Sequence, residues 1–417
     1  MPKSSKILLL AVSVVLVLMI FVGVNASGVS AASGDANSDN AYRQMEVYSE
    51  VLQHIQSDYV VDPNIHEVTS GALRGLVESL DVDSSYLSAD DYKLYKADDA
   101  KVGKAQVGIN VSKRSGYATV VSVVPGSPAD KANLVDGDYL EAIDGQDTRN
   151  ISLAMIRLML DGKPGTEVSV SVIRGGKPDP DKIPLTRTVA QLAPVQDTLY
   201  EGSSILYLKP GILDHDHVQQ IETKLKGMGK AGNKKVLLDL RDVSVGDMPE
   251  ATRLANFFLK TGTIGILEGQ RVDKVTFAAD PAKAIVPNAP LVVLVNHGTA
   301  GPAEVVAAAL QDDKRAALVG DKTFGEGTQQ KTFELADGGA LILSVAKYES
   351  PSGKILQDEG VTPETLVASA VPAADQDGED ETQPGAATTG ATPLQKPTVT
   401  VDDQLTKALD LLKSKTA

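Results

Sequence analysis

The sequence predicts a multi-domain α/β protein, with an N-terminal helical segment, a β-rich module, a larger α/β domain and a C-terminal helix. Three observations predict it. Apolar residues recur at helical spacing through residues 41–100. From about Val102 the pattern turns to short alternating strands, broken by Gly and Pro turns. Between residues 190 and 365, wholly apolar runs such as Leu291-Val292-Val293-Leu294-Val295 alternate with helical stretches, as in a sheet covered on both faces.

The first element is an export segment, residues 1–31. Lys3 and Lys6 give a positive flank, Ile7–Val24 follows without a charge, and small residues come next. Val29-Ser30-Ala31 suits a signal peptidase. The run is longer than a usual signal core and just reaches the span of a membrane helix. A cleaved signal and a retained membrane anchor both stay open. A buried core helix is disfavoured, because neither flank is amphipathic.

Composition narrows the chemistry. Apolar content of 42% is enough for real cores. The absence of cysteine excludes a disulfide framework, a thiol nucleophile and thiolate metal sites. A net charge of −15 argues against nucleic acid, which needs a basic footprint.

Asp35 to Asn40 reads as a short polar linker. Met45, Tyr48, Val51, Leu52 and Ile55 then form a helical stripe, and a second helix covers about Ile65–Leu80. Ser88-Ala89-Asp90-Asp91 looks like a capped restart. The β-rich module, residues 101–188, holds the strands Val107–Val111, Tyr117–Val124, Leu140–Ile143 and Val168–Val172. Asp144-Gly145 is a hairpin turn, and Ser152 caps a helix carrying Leu153, Ile156, Leu158 and Leu160. The α/β domain, residues 189–370, alternates six strands with helices at about Asp214–Met228, Met248–Leu259 and Ala303–Gln311. Residues 371–399, rich in Ala, Thr, Gly and Pro, read as a flexible linker. Residues 400–417 hold a last amphipathic helix, with Leu405, Leu409 and Leu412 on one stripe. So short a helix must dock to be stable.

Gln106-Val107-Gly108-Ile109, Pro125-Gly126-Ser127-Pro128-Ala129, Leu134-Val135-Asp136-Gly137-Asp138 and Ile143-Asp144-Gly145 together resemble a PDZ domain. Such a loop turns successive backbone N–H groups toward one point, where they hold a chain-terminal carboxylate while the peptide adds as a strand. The donors here would be the amides of Val107, Gly108 and Ile109, with Gly108 permitting the loop geometry. Ile109, Val111, Leu153 and Ile156 would line the side pocket. The same apolar residues would serve equally as plain core.

Further motifs widen the resemblance. Ser79-Leu80-Asp81 with Ser84-Ser85-Tyr86-Leu87, Leu238-Asp239-Leu240-Arg241, Val295-Asn296-His297-Gly298-Thr299-Ala300, Val319-Gly320-Asp321-Lys322-Thr323-Phe324-Gly325, Asp337-Gly338-Gly339-Ala340 and Ser350-Pro351-Ser352-Gly353 stand in register. In that order they resemble the carboxyl-terminal processing peptidases, or tail-specific proteases, over about residues 42–365 and the final helix. The resemblance implies a serine endopeptidase with a Ser–Lys dyad, a desolvated lysine being the base. It also implies two backbone oxyanion donors and a PDZ domain that gates the site and reads tails.

The sequence departs from that pattern where the chemistry sits. The nucleophile position is Gly301 and the base position is Glu326. The next residue, which should donate an oxyanion N–H, is Pro302, which has none. In Asp242-Val243-Ser244-Val245-Gly246 one glycine of the other donor pair is Val245. Only the supporting Gln330 remains. Losing one oxyanion donor costs roughly 10²–10³ in rate. Losing a nucleophile or base costs about 10⁶. The expectation is a pseudoprotease of the cell envelope that binds C-terminal tails of exported proteins, or pairs with an active relative. The competing readings are an active peptidase with an unrecognised nucleophile or in a mixed oligomer, and a structural subunit. Ser344, Ser350 and Ser352 lack a helix-start nucleophile setting, and Lys322 reads as a solvated lysine. His297 reads as a structural or exposed loop residue. His215, Asp216 and His217 read as a helix start capped by Asp214 or Asp216 rather than a metal site. No cofactor or metal is expected.

Overall fold

A computed structural model describes residues 36–99, 105–114, 116–174, 179–189, 193–369 and 402–415. The apolar run Ile7–Val24 and residues 371–399, expected to form a linker, lie outside the described residues. Among the described residues no helix is long and apolar enough to cross a membrane. The chain divides into two compact units between Gly71 and Ala72.

The first unit contains helix α1, Ala36–Asp58, and the start of α2, Ile65–Glu78. The expected linker at 35–40 is instead helical backbone from Ala36, because no Gly or Pro interrupts the run to Asp58. Tyr42, Met45, Tyr48 and Val51 are exposed on α1.

In the second unit, strand β1 (Ser85–Leu87) and helix α3 (Ala89–Asp99) follow. Ser88 starts α3, its hydroxyl accepting from the Asp91 amide at 3.2 Å. The strand stands between two expected helices of the N-terminal helical region. Three residues are too few to show a period, and β1 is held by its pairing.

The β-rich module contains β2 (Ile109–Arg114), β3 (Tyr117–Val123), the short α4 (Pro128–Lys131), β4 (Tyr139–Ile143) and β5 (Gln146–Asp147). Helix α5 (Leu153–Leu160), β6 (Glu167–Ile173) and β7 (Asp181–Thr186) complete it. The sheet order is β2-β3-β4-β6-β7, with β5 on β4. Inward side chains such as Val120, Leu140, Val170 and Ile156 form one core. Asp144 and Gly145 both take positive φ, as a two-residue hairpin turn requires. Ser152 caps α5 through the Met155 amide.

The α/β domain opens with β8 (Gln196–Tyr200), β9 (Ile205–Lys209), α6 (His215–Ala231) and β10 (Lys235–Asp239). It continues through α7 (Met248–Asn256), β11 (Thr263–Gly269), β12 (Val272–Ala278) and β13 (Leu291–Val295). Helix α8 (Pro302–Asp312), β14 (Ala317–Gly320), β15 (Thr328–Glu334), β16 (Ala340–Glu349), β17 (Thr365–Leu366) and α9 (Asp403–Ser414) follow. One sheet runs β17-β14-β13-β10-β9-β8, parallel except for the β8 edge. Residues of α6, α7 and α8 share a core with one of its faces, and α9 covers the other. The double cover explains why β10 and β13 are apolar on both sides. A second sheet, β1-β16-β11-β12 with β15 on β16, joins residues on either side of the β-rich module.

Candidate active site

Three loops meet where helix α8 begins. Gly301 is its N-cap, with φ +57°, in the left-handed region that favours glycine. Pro302 occupies the first turn, where a missing N–H costs the helix nothing. A Cβ on Gly301 would lie 3.7 Å from the Ser244 carbonyl and 4.0 Å from Glu326 Oε2. The nucleophile position, the base position and the Asp242–Gly246 segment therefore converge in space, although up to 84 residues separate them in sequence.

A buried carboxylate ties two of these loops together. Glu304, three residues into α8, is fully buried. It accepts from the amides of Gly301 (2.9 Å), Gly325 (2.8 Å) and Glu326 (2.8 Å) and from Thr323 Oγ1 (2.5 Å). Burial pushes its carboxyl up to about 7, against the opposing pull of those donors. Its spacing from Gly301 is that of the acid in a capping box, a signal the sequence carried and our reading of it missed.

Asp83 is the second buried carboxylate. Gln330 Nε2 donates to its carbonyl at 3.1 Å, while Gln357 Nε2 and Thr328 Oγ1 reach its carboxylate at 3.4 Å. Burial, and then the negative charge of Glu326, push its carboxyl up to about 6. No motif in the sequence pointed to Asp83 as part of a site.

The β-rich module packs onto this place. Asn110 Nδ2 donates to Glu326 Oε2 at 3.2 Å, and Arg157 Nη2 donates to Glu326 Oε1 at 3.0 Å. The Ser122 and Ser244 hydroxyls are hydrogen-bonded. A Cβ on Gly298 would meet the Val121 carbonyl at 3.1 Å. Arg157 was also overlooked, although it is the lone charge on an otherwise apolar helix.

The predicted peptide-binding residues lie within this module. Gly108 has φ +82°, and a Cβ there would overlap Ser127 Cβ at 2.1 Å. Val107, Val111, Leu153 and Ile156 are buried in the module core, and Ile109 packs against it half-buried. The other candidates are dispersed. Ser344 Oγ bonds Asp81 at 3.1 Å, and Ser350 bonds Ser352 at 3.0 Å. Lys322 is exposed, and His297 packs against the Phe324 ring with centroids 5.4 Å apart. Asp214 caps α6 through the His217 amide at 2.8 Å, and His215 Nδ1 lies 3.1 Å from Glu250. Among the described residues no group of acidic and histidine side chains is placed to hold a metal.

Residues 205–367 match peptidase family S41, and residues 105–184 match the PDZ domain. The chain joins a PDZ domain to a peptidase family S41 domain. It is 29% identical over 340 residues to a carboxy-terminal-processing protease of Bartonella bacilliformis, covering 81% of this chain and 78% of that one. It is 34% identical over 262 residues to a carboxyl-terminal-processing protease of Synechocystis sp., covering 62% of this chain and 61% of that one. Its fold is shared with a photosystem II D1 C-terminal processing protease, with a TM-score of 0.64 at 24% identity, over 79% of this chain and 94% of that one. Within this S41 frame the PDZ domain contributes Asn110, Val121, Ser122 and Arg157 to the surroundings of Gly301 and Glu326.

Proposed function

We propose that this chain is an exported S41 homologue that captures C-terminal tails of envelope proteins through its PDZ domain and does not cut them. One observation carries the reading. The two positions that should hold nucleophile and base face each other, and they hold Gly301 and Glu326. A hydrogen atom cannot attack a carbonyl, and a carboxylate opposes the negative charge that develops in acyl transfer. Pro302 offers no N–H to that charge. Ile7–Val24 supports export, either as a cleaved signal or as a tether.

The test is incubation of purified protein with unstructured substrates ending in free apolar tails, beside a fluorophosphonate probe for reactive serines. No covalent labelling and no cleavage are expected. Cleavage abolished by a single substitution in this chain, such as Ser244→Ala or Ser350→Ala, would make it an active peptidase. Tail peptides with a free carboxylate should bind, and amidated ones should bind at least about ten-fold more weakly, since the loop amides then lose their anion. Equal affinity for both would remove carboxylate capture. Binding of neither, with stable association to an active relative, would favour a structural subunit.

A further inference from the structure

Strand β2 and helix α5 are the two walls of the groove that the PDZ reading implies, and a residue of the S41 domain ties them together. Arg157 on α5 donates to the Val111 carbonyl of β2 at 3.1 Å and to Glu326 Oε1 at 3.0 Å. Asn110 on β2 donates to Glu326 Oε2 at 3.2 Å. A single carboxylate thus holds one residue from each wall. A peptide that adds to β2 needs the groove-side N–H and C=O groups of that strand. The Val111 carbonyl faces α5 closely enough to accept from Arg157. The Arg157 guanidinium already occupies it.

We propose that Glu326 is a latch: the carboxylate standing in place of the base lysine holds Arg157 across the PDZ groove and keeps the groove closed until a tail displaces it. The proposal rests on the reading of the PDZ domain as a tail receptor, and it adds how that receptor is controlled. The control runs from the S41 site to the groove. A lysine at position 326 would repel Arg157, so the change that removes the base also supplies the latch. The pair has partly exposed side chains, 35% for Arg157 and 22% for Glu326, which keeps the latch weak enough to open. Arg157 also lies 3.8 Å from Asp83 Oδ1, which gives the released guanidinium a second anion. If the latch leaves the open form at about one part in ten, the apparent affinity for a tail falls about ten-fold.

The experiment uses the full chain and two variants, Glu326→Gln and Glu326→Lys. Amide hydrogen exchange in residues 109–114 and 153–160 reads the groove without any ligand. Exchange there should be faster in Glu326→Gln and faster again in Glu326→Lys. A fluorescent ten-residue peptide ending in three apolar residues and a free carboxylate should bind Glu326→Gln roughly five- to ten-fold more tightly than the unaltered protein. Unchanged exchange in both variants overturns the latch. Faster exchange with no peptide bound by any form supports the latch and removes the tail-receptor reading instead.

Discussion

Glu304 shows how one buried carboxylate organises the S41 site. Four donors from two separate loops end on it, so its position fixes those of Gly301 and Glu326. The arrangement has a pH signature. The ordinary value of 4.5 rises to about 7 in the fold, so the folded chain holds a proton that the unfolded chain has lost. This contribution to stability is fully present below about pH 4.5 and is lost as the pH rises through about 7, with a slope of up to about 1.4 kcal/mol per pH unit. Asp83 adds a term of the same sign, from its ordinary 3.8 to about 6. Urea unfolding between pH 5 and 8 should show stability falling toward pH 7. Glu304→Gln should be less stable at pH 5 and should lack most of that slope. An identical slope in both proteins would mean that Glu304 does not carry it. The departures at 301 and 326 were legible because each sits at a fixed offset within a recognisable motif. The Arg157–Glu326 contact was not, because 169 positions separate two residues that only the folded chain brings together.

At the scale of single elements, the PDZ loop is the most constrained. Gly108 combines a positive φ with a Cβ position already filled by Ser127, the N-cap of α4. Gly126 has a similar φ of +78° but open space around its Cβ position. Gly126→Ala should therefore cost about 1 kcal/mol of stability, for backbone conformation alone. Gly108→Ala should cost more, roughly 2–4 kcal/mol, because α4 must also move. Thermal melts of the two variants decide between these terms. Equal costs would mean that the contact with Ser127 yields freely. The same distinction between pattern and packing explains which strands the sequence disclosed. β10 and β13 were plain because burial on both faces selects apolar residues in unbroken runs. β12 and β15 escaped notice because their side chains are mostly exposed. The backbone ladders to β11 and β16 hold them, and ladders leave little mark in hydropathy.

For the molecule as a whole, α9 completes a layer that the preceding chain lacks. Ala408 and Leu412 are fully buried against Ile205, Leu237, Val292, Leu294 and Val319, on the sheet face opposite α6, α7 and α8. Both helix ends are anchored. Arg241 donates to Asp402 at 2.9 Å and to Gln404 at 3.2 Å, and Lys235 Nζ donates to the Leu412 and Lys415 carbonyls at 2.7 and 2.6 Å. The lysine thus satisfies carbonyls that a helix C-terminus leaves without partners. The sequence announced an amphipathic helix that must dock, but not where, because the pairing depends on β9, β10, β13 and β14 having already assembled. A chain ending at residue 369 would expose those sheet side chains at about 1.5–3 kcal/mol each. That loss is comparable with the roughly 5–15 kcal/mol that holds a typical domain together. The shortened chain should therefore aggregate or melt far below the full one, while Leu412→Ala should cost only about 2–5 kcal/mol. Adding the peptide 400–417 in trans should restore the melt only near millimolar concentration, because covalent linkage otherwise supplies a high effective concentration. A shortened chain that melts like the full one would make α9 an ornament on a sheet already stable without it, and the buried Leu412 would then have to be explained some other way.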